Sequence, residues 1–145
     1  MSRTIVSIIS EQIIPNYLFI KEKFQPGDKL IFISSKKFET RHERIVNTLA
    51  WNLLEVKNIV LPNEGDEENW TSMNNVICTE LSDKEEYIVN LTGGTKYMAL
   101  AIERLFSRYN IFTGSTDIFK LLKVLVSIVP IIPAVNPILY ILYPS

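Results

Sequence analysis

Glu86-Tyr-Ile-Val-Asn-Leu-Thr-Gly-Gly-Thr-Lys-Tyr-Met-Ala-Leu100 runs a short apolar strand through a double glycine into an amphipathic helix. Tyr87, Ile88, Val89 and Leu91 form a nearly continuous apolar run, which suits a central parallel strand covered on both faces. Thr92-Gly93-Gly94-Thr95 ends that strand. Glycines leave no side chain between the main chain and a ligand, so consecutive N–H groups can converge on one anionic oxygen. Met98, Ala101, Ile102 and Leu105 recur at helical spacing, which predicts a helix from about Thr95, with Thr92 or Thr95 as its cap. The positive end of its dipole then faces the same loop as Lys96, and amides, dipole and cation together favour phosphate. A Gly-Gly pair is also an ordinary way to turn from strand into helix. Neither G-x-x-x-x-G-K-[ST] nor G-x-G-x-x-G is present, so ATP hydrolysis and dinucleotide binding are not supported.

Outward from this stretch, strands and helices alternate. Thr4 to Ile9, Leu30 to Ile33 and Val56 to Leu61 read as strands. Helices are predicted from Ile13, with Pro15 in its first turn, from about Phe38, and from Trp70 to Leu81. The acidic run Glu64-Gly-Asp-Glu-Glu68 reads as a solvated loop and helix start. This alternation predicts a single α/β domain of Rossmann-like type, a mostly parallel sheet with helices on both faces. Right-handed crossovers constrain the order further: if three strand–helix units run to one side and the chain then returns to the other, the first and fourth strands lie side by side at a switch point, where ligands bind. That arrangement brings Ser10-Glu11-Gln12 up against Thr92 to Lys96.

With 145 residues, 47% of them hydrophobic, one core is expected. A formal net charge of -1 argues against coating a long nucleic acid and leaves room for a small nucleotide in a local basic pocket. Cys78 is alone, so an internal disulfide and a cysteine-based zinc site are excluded and a reducing cytoplasm fits; the thiol itself reads as part of the core. The first ten residues are not a signal peptide, so export is not expected. No metal-ligand cluster is apparent and no cofactor is expected. His42 is the sole histidine, and its spacing from Phe38 and Ile45 favours a packed position over a catalytic base.

Residues 1–110 carry this pattern; 111–145 form an apolar tail. No charged residue occurs from Val124 to Ser145, and Pro130, Pro133, Pro137 and Pro144 interrupt the run. Such prolines break helices, so the tail is read as added strands of the same domain, with Ile111–Phe112 and Val124–Ile132 lengthening the sheet beyond the switch point. A membrane segment, a truncation product and a shifted reading frame are the alternatives, the first disfavoured by the prolines.

Val6-Ser-Ile-Ile-Ser-Glu-Gln-Ile-Ile-Pro-Asn-Tyr-Leu-Phe-Ile-Lys-Glu22, Leu30-Ile-Phe-Ile-Ser-Ser35 and Val89-Asn-Leu-Thr-Gly-Gly-Thr-Lys-Tyr-Met98 together resemble the CRISPR-associated Rossmann fold (CARF) domains, closest to the N-terminal sensor domain of type III CRISPR CARF–nuclease effectors. The likeness covers roughly residues 3–108. It implies a homodimer that binds a cyclic oligoadenylate, most often the four-membered ring, across the dimer axis in antiviral defence. On that footing Gly93, Gly94 and Thr95 are assigned to phosphate through their amides, with Thr92 beside them and Lys96 as a point charge. Ser10, Glu11, Gln12 and Asn16 are assigned to ribose or the adenine edge, and Ser34 and Ser35 to the pocket flank. Ordinary helix capping is the competing reading of Ser10 and Gln12, and a solvent-facing helix position that of Asn16. The resemblance also admits a metal-independent ring nuclease, in which a ribose 2′-hydroxyl attacks the neighbouring phosphate and Lys96 and Ser10 are the catalytic candidates. A truncated or membrane-anchored sensor is the third alternative, because the usual effector domain is missing.

Overall fold

In the computed structural model, residues 2–49, 55–109 and 111–112 are described, and all of them lie within one compact unit, Met1–Gly114. Five strands, β1 (Ser2–Ile9), β2 (Lys29–Ser35), β3 (Val56–Leu61), β4 (Glu85–Asn90) and β5 (Ile111–Phe112), form one sheet in the order β3-β2-β1-β4-β5. Every pairing is parallel. The chain steps from β1 through β2 to β3 on one side and returns beyond β1 to β4, so the first and fourth strands are neighbours, the order expected if the chain reverses after its third strand. Ile111–Phe112 extends the sheet past β4 as predicted, whereas Val124–Ile132 and the rest of the tail lie outside the described residues.

Among the described residues four α-helices connect the strands: α1 (Ile14–Lys23), α2 (His42–Leu49), α3 (Trp70–Cys78) and α4 (Lys96–Phe106). Helices α1 and α2 pack together, as do α3 and α4, which is the pairing two-sided right-handed crossovers produce. Beneath α1 and α2, Ile5 and Ile9 of β1, Leu30 and Phe32 of β2 and Ile88 of β4 meet Phe19, Ile20, Ile45 and Leu49 in one buried cluster. Alternate residues supply the other face. There the Tyr87 ring stands edge-on to Phe106 at 5.3 Å and to Tyr109 at 5.8 Å. None of these helices is long and apolar enough to cross a membrane.

Several local expectations change. The segment after β2 is a 3-10 turn, Lys36–Phe38, and α2 starts only at His42. Helix α3 stops at Cys78 rather than Leu81, and Cys78 is half-buried, its Sγ 3.5 Å from Asn74 Oδ1, not a core thiol. The acidic run is not wholly solvated: Asp66 is buried and accepts from the Asn63 backbone N–H at 2.8 Å, closing the turn that leads into α3. His42 is a packed residue, its ring 5.6 Å from Phe32 and its Nδ1 2.8 Å from the Glu39 carbonyl.

Charged groups at the N-terminal ends of the strands are paired. Arg3 makes a forked bond to Asp28 at 3.0 and 2.6 Å, and Lys29 reaches Glu85 at 2.9 Å and Glu55 at 3.3 Å. Burial pushes the Glu85 carboxyl up, but hydrogen bonds from Lys29 and Thr4 and the Lys29 charge outweigh it and leave the group below the usual range. A carboxyl depressed on folding stabilises above its unfolded titration point, and the contribution is lost as pH falls through the folded one. Glu85→Gln is therefore expected to be less stable than the parent at pH 7, with the gap closing as pH drops below about 4. Urea melts of both proteins across that range check this; a gap independent of pH would contradict it.

Candidate functional site

Because the strands are all parallel, their exit loops share one edge. Beside the β1–β4 switch point lie the exit of β1 (Ser10 to Ile13), the exit of β2 (from Ser35) and the loop 91–95 between β4 and α4. The last of these presses on β1. A Cβ on Gly93 would sit 1.9 Å from the Ile8 carbonyl oxygen, and one on Gly94, whose φ is +75°, would sit 2.5 Å from Ile8 Cγ2. The two glycines are thus a condition of bringing this loop against the end of β1. Gly93 is buried in that contact, while Gly94, Thr95 and Lys96 are exposed.

Thr95, not Thr92, caps α4: its hydroxyl oxygen accepts from the Met98 N–H at 3.1 Å. Thr92 belongs to a turn, its N–H and hydroxyl both donating to Asn90 Oδ1, at 3.1 and 2.6 Å. Among the described residues no backbone bond uses the amides of Gly93, Gly94 or Thr95, and Lys96 has no ion-pair partner. Unpaired amides at the start of an eleven-residue helix, next to an exposed ammonium, are equipped to hold an anion. Among the described residues no cluster of side chains is arranged to hold a metal ion.

The remaining candidates separate by depth. Ser10 is half-buried and Glu11 and Gln12 are exposed. The cap position of α1 is Ile13, with no side-chain bond, so neither Ser10 nor Gln12 caps that helix; Ser10 Oγ instead donates to the Gln12 carbonyl at 3.3 Å. Asn16 is not a solvent-facing residue. It is 0% exposed, and its Nδ2 donates to Ser7 Oγ at 2.7 Å and to the Ile8 carbonyl at 2.6 Å, which ties α1 to the end of β1. Its Oδ1 is buried with no partner among the described residues, leaving room for one donor. Ser34 is also fully buried, donating to Asn58 Oδ1 at 3.2 Å, while Ser35 lies nearer the surface at 8% exposure. The structure therefore buries Asn16 and Ser34, leaves Ser10 half-buried and exposes Glu11, Gln12, Gly94, Thr95 and Lys96.

Three residues were missed from the sequence. Ser7 and Asn90 are register partners on β1 and β4, both buried, and Asn90 Nδ2 donates to Ser7 Oγ at 3.2 Å. Polar residues inside the apolar runs Val6-Ser7-Ile8 and Val89-Asn90-Leu91 were the available signal. Arg41, which falls inside the helix predicted from about Phe38, instead precedes α2; its guanidinium lies 5.8 Å from the Phe38 ring and donates to the Glu11 carbonyl at 3.4 Å. A second cation is thereby brought to the exit loop of β1.

The fold has counterparts among known proteins. The family model described as the Card1 CARF domain matches residues 4–122. Among solved structures the chain is similar to Can2 from Sulfobacillus thermosulfidooxidans in complex with cyclic tetra-adenylate (cA4), with 22% identity and a TM-score of 0.59 over 75% of this chain and 30% of that one. At that identity the likeness is one of fold, and this chain spans less than a third of that protein's length. No curated protein matches.

Proposed function

The chain belongs to the Card1 CARF domain family, and from that premise we propose that it is a sensor that binds cyclic oligoadenylate, the four-membered ring by preference, between two copies of itself. The observation that carries this reading is the loop after β4: amides and a lysine, Lys96, that have no protein partner among the described residues meet the N-terminus of α4 beside the switch point. Phosphate is the group such a loop suits. Gly93, Gly94 and Thr95 would donate amides and Lys96 a charge-assisted bond, while Ser10, Glu11 and Gln12 face the sugar or base and Arg41 adds positive charge at the rim. Can2, which shares the fold, is the protein whose structure holds cyclic tetra-adenylate.

A ring of four identical nucleotides has its own two-fold axis, so an isologous pair of chains meets it with two equal half-sites. Surface chemistry favours such a pair. Ile14 and Leu18 stand one helical turn apart on α1 and are 70% and 57% exposed, and Tyr97, next to Lys96, is also exposed. Covering large apolar side chains of this kind stabilises by roughly 25 cal/mol per Å² removed from water.

Native mass spectrometry with cyclic tetra-adenylate tests the proposal. The expected species is two chains with one ring, and the ring is expected to be recovered intact after incubation with equimolar protein. Only single chains, with no ring retained at tenfold excess, would refute it.

A further inference from the structure

The loop that the proposed function places on phosphate is held from below by a chain of buried side chains, and we infer that Asn90 is a positioning residue for it. This inference rests on the reading of the loop as the ligand cradle. Asn90 is the last residue of β4 and is 0% exposed, so it acts on a ligand only through its neighbours. Its carboxamide is used at both ends. Oδ1 accepts from the Thr92 N–H and hydroxyl, at 3.1 and 2.6 Å, and Nδ2 donates across the strand pair to Ser7 Oγ at 3.2 Å. Ser7 Oγ also accepts from Asn16 Nδ2 at 2.7 Å, and Asn16 grips the Ile8 carbonyl, the atom against which Gly93 is packed.

Energetics say why this is more than a core contact. A polar side chain in a central strand costs free energy unless its bonds are made, and an apolar residue would fill the same place without that demand. What the carboxamide adds is direction. By capturing Thr92 two residues on, it turns the chain out of the strand at a fixed angle and points the following amides outward. Without it, the loop samples other turns and only a fraction of molecules present the cradle. Apparent affinity then falls by that fraction, through slower association and not faster release.

Asn90→Ala is therefore expected to bind cyclic tetra-adenylate at least tenfold more weakly, at a temperature well below the melting points of both proteins. Stopped-flow kinetics should place the loss in the association rate, with dissociation unchanged within twofold. The slope of log affinity against log salt should match the parent, because no ionic contact is removed; Lys96→Ala, by contrast, should flatten it. Hydrogen exchange at the Thr92 amide of the free protein should accelerate at least tenfold. Equal affinity in the variant and the parent would overturn the inference, as would a loss confined to dissociation. Should Asn90→Ala fail to fold, Ser7→Ala, which removes the hydroxyl that both Asn90 and Asn16 donate to and so frees the Asn90 carboxamide from β1, decides by the same kinetics, and unchanged association would overturn it. Should the parent itself not bind the ring, the ligand reading fails, and unaltered Thr92 exchange in the variant would sink the positioning role independently.

Discussion

Gly93→Ala is expected to destabilise the fold by about 3 kcal/mol or more, at the upper end of what overpacking costs, and to abolish ligand binding with it. The added methyl would lie 1.9 Å from the Ile8 carbonyl oxygen and 2.9 Å from its carbon. Both are main-chain atoms of a central strand paired on both sides, so no rotamer change relieves the clash. Either the loop lifts from β1 or β1 gives up register. Gly94 makes the contrast. Its obstacles are side-chain atoms, Ile8 Cγ2 at 2.5 Å and Met98 Sδ at 3.2 Å, and its φ of +75° adds a left-handed penalty, so Gly94→Ala should cost less, about 1–2 kcal/mol. Urea melts separate the two, and in a domain of this size 3 kcal/mol corresponds to a fall of roughly 10 °C in Tm. A Gly93→Ala loss below that of Gly94→Ala would show that the loop does not press on β1 as described.

Lys96→Ala is expected to leave stability near the parent value and to remove much of the affinity for the ring. The side chain is exposed and has no ion-pair partner among the described residues, so its truncation strands no buried charge. A hydrogen bond to a charged group contributes roughly 1.5–3 kcal/mol. If two chains each place one lysine on the ring, as proposed, the combined loss is about 3–6 kcal/mol, a weakening of at least a hundredfold. Calorimetric titration measures it directly; unchanged affinity would take Lys96 out of the site.

The topology was legible because three independent signals agreed. β-branched apolar runs marked the strands, helical spacing marked the connections, and right-handed crossovers admitted the reversal after the third strand that brings β1 and β4 together. The candidate site proposed above was legible only where a residue announces itself by type. Gly93, Gly94 and Lys96 did; Ser7 and Asn90 did not, because polar residues inside apolar strands carry no periodic signal and their partner, Asn16, belongs to a different element. Asn16 was assigned to the ligand through the family resemblance, yet α1 turns it inward, under Ile8. Arg41 was assigned to a helix that begins one residue later, and the 3-10 turn before it directs the guanidinium back to Glu11. Side-chain direction at an element boundary follows from the turn, and composition does not encode the turn.

The most direct test of the central claim is a calorimetric titration of the protein with cyclic tetra-adenylate and, in parallel, with the linear tetra-adenylate. Saturation at one ring per two chains, with the linear form markedly weaker, is the predicted result. Absence of binding, or equal affinity for both forms at one ligand per chain, would contradict the account.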